Sequence, residues 1–339
     1  MDPISPELRA ELDAAIARRH LRAVADEIRK NATECYALVA IDDDDYSELG
    51  NTRFGGDPDL PDGWDWPIDP EADEPTFSNF IAQINFAELP QLSIGSGLPS
   101  RGILYLFVRF MESADEPVVL DTLYFDGPMD LLARRPSPDA ESLCDEYLVD
   151  LIPQRIRAVP SVSLAMFQKQ FRRHIETNTS EIDDEDWNFG EDGISLLRDL
   201  DSDLQREGQI GQLLGYANAG DVHENLYRQV ALTSLGKRSL MYNDYWDTIQ
   251  EYEAYIEEWR TDKQSFEMYQ GMRKGVEWLT SNRDRISGAV NQLRLLFRLD
   301  SNLQMNLNIN DFDPLFVFIT VPDLERRDFS NLAGEVTQN

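Results

Sequence analysis

Two stretches, Phe80-Ile81-Ala82-Gln83-Ile84-Asn85-Phe86 and Gly102-Ile103-Leu104-Tyr105-Leu106-Phe107-Val108-Arg109-Phe110, decide the fold class. In the first, Phe80, Ala82, Ile84 and Phe86 alternate with Ile81, Gln83 and Asn85. That period of two sends successive side chains to opposite faces of a strand. The second is apolar at nearly every position, the pattern of a strand buried on both faces. Outward from this pair, Val118 to Phe125 reads as a further strand and Tyr36 to Ile41 as a short one. Asp42-Asp43-Asp44-Asp45 ends the short strand, because adjacent like charges repel within a sheet. Leu293–Leu299, the alternating Leu303, Met305, Leu307 and Ile309, and Leu315–Val321 read as three terminal strands, and Leu226–Leu232 as another.

Helical spacing fills the remainder. Ser5-Pro6-Glu7 is a helix start, with a capping hydroxyl, a first-turn proline and an acid at the positive dipole end. Leu8, Leu12, Ile16, Leu21, Val24 and Ile28 extend it into one helix over 6–30. Ser163–Ile175 and Gly193–Gln212 also read as helical, while 126–160 is mixed. Tyr245, Ile249, Tyr252, Ile256 and Trp259 form one apolar seam, and Phe266 to Leu279 a looser one, so 243–286 reads as a helical hairpin. The expected fold is α+β: a mixed or antiparallel sheet with peripheral helices. Residues 1–35 form an N-terminal helical segment packing on a main domain over 36–339, with the hairpin inserted at about 240–290.

The sheet carries a half-repeat. Ile81-Ala82-Gln83-Ile84-Asn85 followed by Gly102–Phe107 is echoed by Leu296-Phe297-Arg298-Leu299-Asp300 followed by Pro314–Ile319. Gln83 matches Arg298, and Asn85 matches Asp300. If the halves pack about a pseudo-twofold axis, these four residues line one polar cleft, with Trp64 and Trp66 of the preceding loop at its edge. A hydrogen-bonded structural network between the halves is the competing reading.

Lys and Arg number 31 against 63 Asp and Glu, a formal net charge of −32. Such a surface repels phosphate backbones and anionic headgroups, which argues against nucleic-acid and membrane-surface partners. A basic protein or a cation is the natural electrostatic partner; solubility or adaptation to salt is the alternative use of the charge. The two cysteines, Cys35 and Cys144, form no CxxC pair, which fits a reducing compartment. Met1–Arg9 lacks the basic and apolar regions of a leader, and no apolar run reaches about 18 residues. A cytoplasmic location is the expectation.

The search for chemistry leaves little. Of three histidines, His20 and His174 sit among arginines without a second ligand at helical spacing. His223 follows Asp221 and precedes Glu224 with no supporting pair. Asp199-Leu200-Asp201-Ser202-Asp203 opens like a calcium loop, but Leu204 replaces the required glycine and Ile210 the bidentate acid, so helix is the better reading. The glycines at 208 and 211 and at 95 and 97 match neither a phosphate loop nor a nucleophile elbow. No catalytic residue, metal or cofactor is assigned. Gly55-Gly56, paired in an ordered loop, are expected to hold a backbone conformation other residues resist.

The ordered series Phe54-Gly55-Gly56-Asp57-Pro58-Asp59-Leu60-Pro61, Trp66-Pro67, Ala82-Gln83-Ile84-Asn85, Glu88-Leu89-Pro90 and Gly102–Phe107 resembles the YwqG-like family of uncharacterised bacterial proteins. Leu213-Leu214-Gly215-Tyr216, Leu295–Ser301, Asp323-Leu324 and Asp328-Phe329-Ser330 continue the resemblance to the C-terminus. The chain departs from it at Ala217-Asn218, where the family pattern has Pro-Asp, and in the 243–286 insertion. The resemblance implies an α+β fold with an internal duplication and brings no established activity. Some members resemble neighbours of secreted-toxin genes, which implies an immunity role for those. Two functions follow as expectations: a non-enzymatic acidic protein binding a basic protein partner, of toxin-immunity type, or a small-molecule binder using the inter-repeat cleft.

Overall fold

The computed structural model describes residues 4–93, 95–110, 118–145, 148–166, 169–179, 193–218, 223–242, 254, 256–309 and 313–336. Its α+β architecture is built on a ten-stranded antiparallel sheet of order β12-β11-β10-β9-β1-β8-β2-β4-β5-β6, with a separate two-stranded sheet β3-β7. The strands are β1 Ala32–Asp43, β2 Arg53–Phe54, β3 Asp59–Pro61, β4 Asn79–Asn85, β5 Ile103–Arg109, β6 Val119–Phe125 and β7 Leu132–Arg134. They continue with β8 Gln154–Leu164, β9 Gln209–Leu213, β10 Leu293–Leu299, β11 Leu315–Thr320 and β12 Ala333–Val336. Val118, just before β6, bridges Gly334 in β12, so the two ends of the strand order meet.

The closed sheet encloses its core. Tyr36, Leu38, Phe54, Ala82, Ile84, Leu104, Leu106, Phe297, Leu299, Leu315 and Val317 form one buried cluster. Phe54 of β2 meets Phe297 of β10 edge-on at 5.4 Å, although four strand steps separate them in the sheet. Their neighbours Arg53 and Arg298 face outward by strand alternation. Two layers cover that outer face. The β3–β7 ribbon buries Ile103, Tyr105 and Phe107 with Leu60 and Leu132. Helices α1 (Pro6–Arg18), α2 (Ala25–Lys30), α3 (Lys169–Thr179) and α4 (Gly193–Leu204) join Val162 and Leu164 of β8 in a second cluster.

The chain divides into two compact units, 1–223 with 294–339, and 224–293. The second has its own small core of Leu232, Leu279 and Ile286. The first arm of the expected hairpin, from Tyr245, falls mostly outside the described residues, as does the acidic run 181–186. Lys263–Ser281 is helical, followed directly by a helix over Arg283–Gln292.

Several local expectations are corrected. The helix over 6–30 breaks at His20, whose left-handed φ of 56° redirects the chain into a short 3-10 turn and α2. Residues 226–232 are helical within α5 (His223–Ser234), with Leu226, Tyr227, Val230 and Ala231 buried at a spacing that a strand would split between faces. The alternation at 303–309 is a 3-10 turn closed by an Asn302–Leu307 bridge, with Asn306 left-handed. Helix α4 stops at Leu204, and Gly208 at φ +71° turns the chain into β9. Strand β8, hidden in the mixed segment, pairs along almost all of β1.

Candidate binding site

Asp59, the first residue of β3, is fully buried between two arginines. Arg53 of β2, also fully buried, donates from Nη2 to Asp59 Oδ2 at 3.0 Å and to the Asp57 carbonyl at 2.7 Å. Its Nη1 reaches Asp44 Oδ2 at 3.1 Å. Arg134 of β7 donates from Nε to Asp59 Oδ1. Tyr46, at φ 61°, lies under both guanidinium groups, its ring centre 5.0 Å from Arg53 Cζ and 4.1 Å from Arg134 Cζ. Burial pushes the Asp59 carboxyl upward, but bonds from Arg134, Arg53, Gln83 and the Gly50 amide outweigh it and hold it below the usual range. Buried charges are tolerated on these terms, paired and hydrogen-bonded.

The Phe54-Gly55-Gly56 phrase makes this possible. Both glycines are left-handed, φ +70° and +66°, as the paired-glycine reading expects. A Cβ on Gly56 would stand 2.1 Å from Tyr46 Oη and 2.7 Å from Pro153. The same Tyr46 hydroxyl accepts from the Asp57 amide at 3.0 Å. The turn thus needs glycine to bring Tyr46 beneath the arginines.

Gln83 and Asn85 belong here. Gln83 Nε2 donates to Asn51 O at 2.7 Å and Asp59 Oδ2 at 2.8 Å, while its Oε1 accepts the Asp59 amide at 2.8 Å. Asn85 Nδ2 donates to the Gly50 carbonyl at 2.7 Å. Arg298 and Asp300 occupy another place, under α4. Arg298 donates from Nη2 to Asp300 Oδ2 at 2.9 Å, and its Nε lies 2.9 Å from Oδ1 as an ion pair. Cys35, Ser161, Asp201 and Gln212 complete a polar lining with Arg298 around a cavity of about 10 Å³. Burial pushes Asp201 up, to about 6, against the pull of Arg298. The same burial pushes the Cys35 thiol up to about 12. Gln212 ties the following turn, donating to Leu214 O at 2.7 Å; Leu214 and Gly215 are both left-handed there. The four cleft residues are therefore distributed over two polar centres. Each pair's hydrogen bonds are made within its own centre.

The tryptophans pack at half-burial. Trp64 meets Phe125 edge-on at 5.8 Å, and Trp66 meets Phe107 at 5.2 Å. His20 and His174 are exposed, and Asp199 and Asp203 of α4 pair with Arg19 rather than forming a loop. Among the described residues no group of three acids, histidines or cysteines is placed to hold a metal ion, and no helix is long and apolar enough to cross a membrane.

The residues that sequence reasoning passed over are Arg53 and the surface it organises. Arg53 joins Asp44, from the acidic end of β1, to Asp59, which opens the acidic loop leading to Glu74. Asp42, Asp43, Asp45 and Glu48 on the first segment are exposed, as are Asp62, Asp65, Glu71, Asp73 and Glu74 on the second. Between them lies apolar surface. Leu49 is 50% exposed, Met129 38% and Leu131 52%. Leu49 precedes Gly50, against which Met129 and Leu132 pack, and the Leu131 carbonyl accepts the Asp62 amide. The one signal in the sequence was a lone arginine set between two acidic runs.

No curated protein matches the chain. A family model described as a domain of unknown function, DUF1963, matches residues 52–336, from just before Arg53 to the end of β12. That match takes in most of the chain, and with it every strand of the closed sheet except β1: the chain belongs to the DUF1963 family.

Proposed function

We propose that this chain is a non-enzymatic binding protein whose partner is a basic protein, docked on the Leu49–Met129–Leu131 face. The carrying observation is how charge is sorted between inside and outside. Two arginines beneath this face are covered and paired, Arg53 with its side chain 0% exposed and Arg134 18%, while Arg135 pairs with Asp62 at 4.0 Å and Arg155 with Glu48 at 2.7 Å. The carboxylates of Asp45, Asp62, Asp126 and Asp130 stay exposed around three apolar side chains. Apolar centres with polar rims are the anatomy of protein interfaces, and a rim of one sign selects a partner of the other. The resemblance to YwqG-like proteins supports the same direction, since a basic toxin is one partner with this chemistry.

The test compares wild type with Asp45→Asn/Asp62→Asn/Asp126→Asn/Asp130→Asn and with Leu49→Ser/Leu131→Ser as affinity baits. Basic proteins retained by wild type and lost from both variants support the reading. Retention of the same proteins by all three baits, or of acidic proteins, sinks it.

A further inference from the structure

A second cavity, of about 600 Å³, lies on the acidic loop and is lined by Asp65, Trp66, Pro67, Ile68, Phe77, Asp121, Thr122 and Leu123. We propose that it binds a small organic cation with an apolar body, of the arylalkylammonium kind. The volume is that of a small-molecule site. Its apolar wall is preformed. Trp66 Nε1 donates to Ser78 O at 2.7 Å, Ile68 bridges Phe77, and the Phe77 amide donates to Ser142 O at 2.8 Å. Loss of freedom on binding is correspondingly small.

Charge decides the ligand. The lining contains two carboxylates and no lysine or arginine. The neighbouring cation, Arg109, is held by Asp69 at 2.7 Å and by Asp121 Oδ2 at 3.2 Å. Ser78 Oγ donates to that same Oδ2 at 2.6 Å, which leaves Asp121 Oδ1 as an acceptor. Asp65 is exposed and makes no hydrogen bond or ion pair among the described residues. The two carboxylates disfavour anions, a neutral ligand gains nothing from them, and an ammonium group beside the aromatic rings finds acceptors in Asp65 and the open Oδ1 of Asp121.

The experiment titrates the full chain with 2-phenylethylammonium, 2-phenylethanol and phenylacetate, following the Trp66 indole N–H by NMR. The ammonium is expected to bind about tenfold more tightly than the alcohol, and phenylacetate to shift nothing. Asp65→Asn should weaken the ammonium about two- to fivefold. Ile68→Lys, at a side chain 51% exposed, places a cation in the pocket and should abolish binding with the circular dichroism unchanged. Leu131→Ser, on the protein-docking face, should leave the titration as it was. Equal affinity for ammonium and alcohol overturns the proposal, as does binding that survives Ile68→Lys. A response to lysine-rich peptide but not to the free amine also overturns it, assigning the pocket to a protein interface. Should Ile68→Lys unfold, the rank order of the three ligands on wild type decides alone.

Discussion

The Arg53 and Arg298 centres occupy the outer face of one sheet, each built on a strand-borne arginine with two acids, yet they differ in closure. Arg53 meets Asp44 and Asp59 at side-chain exposures of 3% and 0%, sealed by the β3–β7 ribbon, and Asp59 is held ionised. Arg298 is 10% exposed and its principal partner Asp300 32%. Its other acid, Asp201, is driven toward the neutral form. The difference teaches which centre is scaffold. An enclosed ion network, with both terminal nitrogens of Arg53 bonded to buried carboxylates, fixes two acidic surface segments in place; a half-open one responds to protons.

Removing the arginines gives the widest separation. Arg53→Met takes the shared guanidinium from two buried carboxylates, leaving Asp59 to Arg134 and Gln83 and Asp44 to Asn51, and is expected to cost about 3–5 kcal/mol. Arg298→Met leaves Asp300 free to rehydrate and should cost about 1–2 kcal/mol. Urea unfolding of both variants measures this; equal losses would erase the distinction. Gly56→Ala comes next, at about 2–4 kcal/mol, combining left-handed strain with the Tyr46 and Pro153 clashes. Gly63→Ala has a similar φ of +79° but open space, and should cost only about 1 kcal/mol. If the two alanines cost the same, Tyr46 is not wedged beneath the arginines as described.

The two centres should also respond to pH with opposite sign. Asp59 is depressed, so its contribution is present above the unfolded value near 3.8 and is lost as pH falls through its folded value. Asp201 is raised to about 6, so the folded state is favoured while it stays protonated, and stability declines as pH climbs from about 4 to 6. Asp201→Asn should therefore gain on wild type by on the order of 1–2 kcal/mol between pH 4.5 and 7.5, a reduced share of the shift because Asp201 is partly exposed. Chemical unfolding at the two pH values checks this. A pH-independent difference would mean that Asp201 titrates normally.

Much of the sheet was legible. Strands β4, β5, β6, β10 and β11 carry unbroken apolar or alternating runs, and the glycines at 55 and 56 announced their turn. Strand β8 was not legible, because Arg155, Arg157 and Pro160 mask it; only pairing with β1 and β2 on its two sides accounts for it. Helix α5 was missed because Leu226 to Leu232 has enough apolar residues to satisfy either period. At the site, Gln83 was legible as a polar residue inside an apolar strand. Its partner was not, because Arg53 and Asp59 meet through folding of a loop, and neither spacing nor composition encodes that contact. Asp201 hid within a run of alternating aspartates whose neighbours serve Arg18 and Arg19.

The smallest structural change tests the largest claim. Asp45→Asn/Asp62→Asn/Asp126→Asn/Asp130→Asn alters only exposed side chains and should leave stability within about 0.5 kcal/mol. Its effect belongs to association kinetics. The direct measurement is the on-rate of a captured basic partner at about 0.1 M and about 1 M salt, where the Debye length falls from about 10 Å to about 3 Å. Steering by the acidic rim predicts a drop of roughly tenfold or more for wild type and a much flatter response for the variant, with dissociation little changed. Equal on-rates for wild type and variant at both salt concentrations would contradict the account, leaving the −32 charge as a matter of solubility.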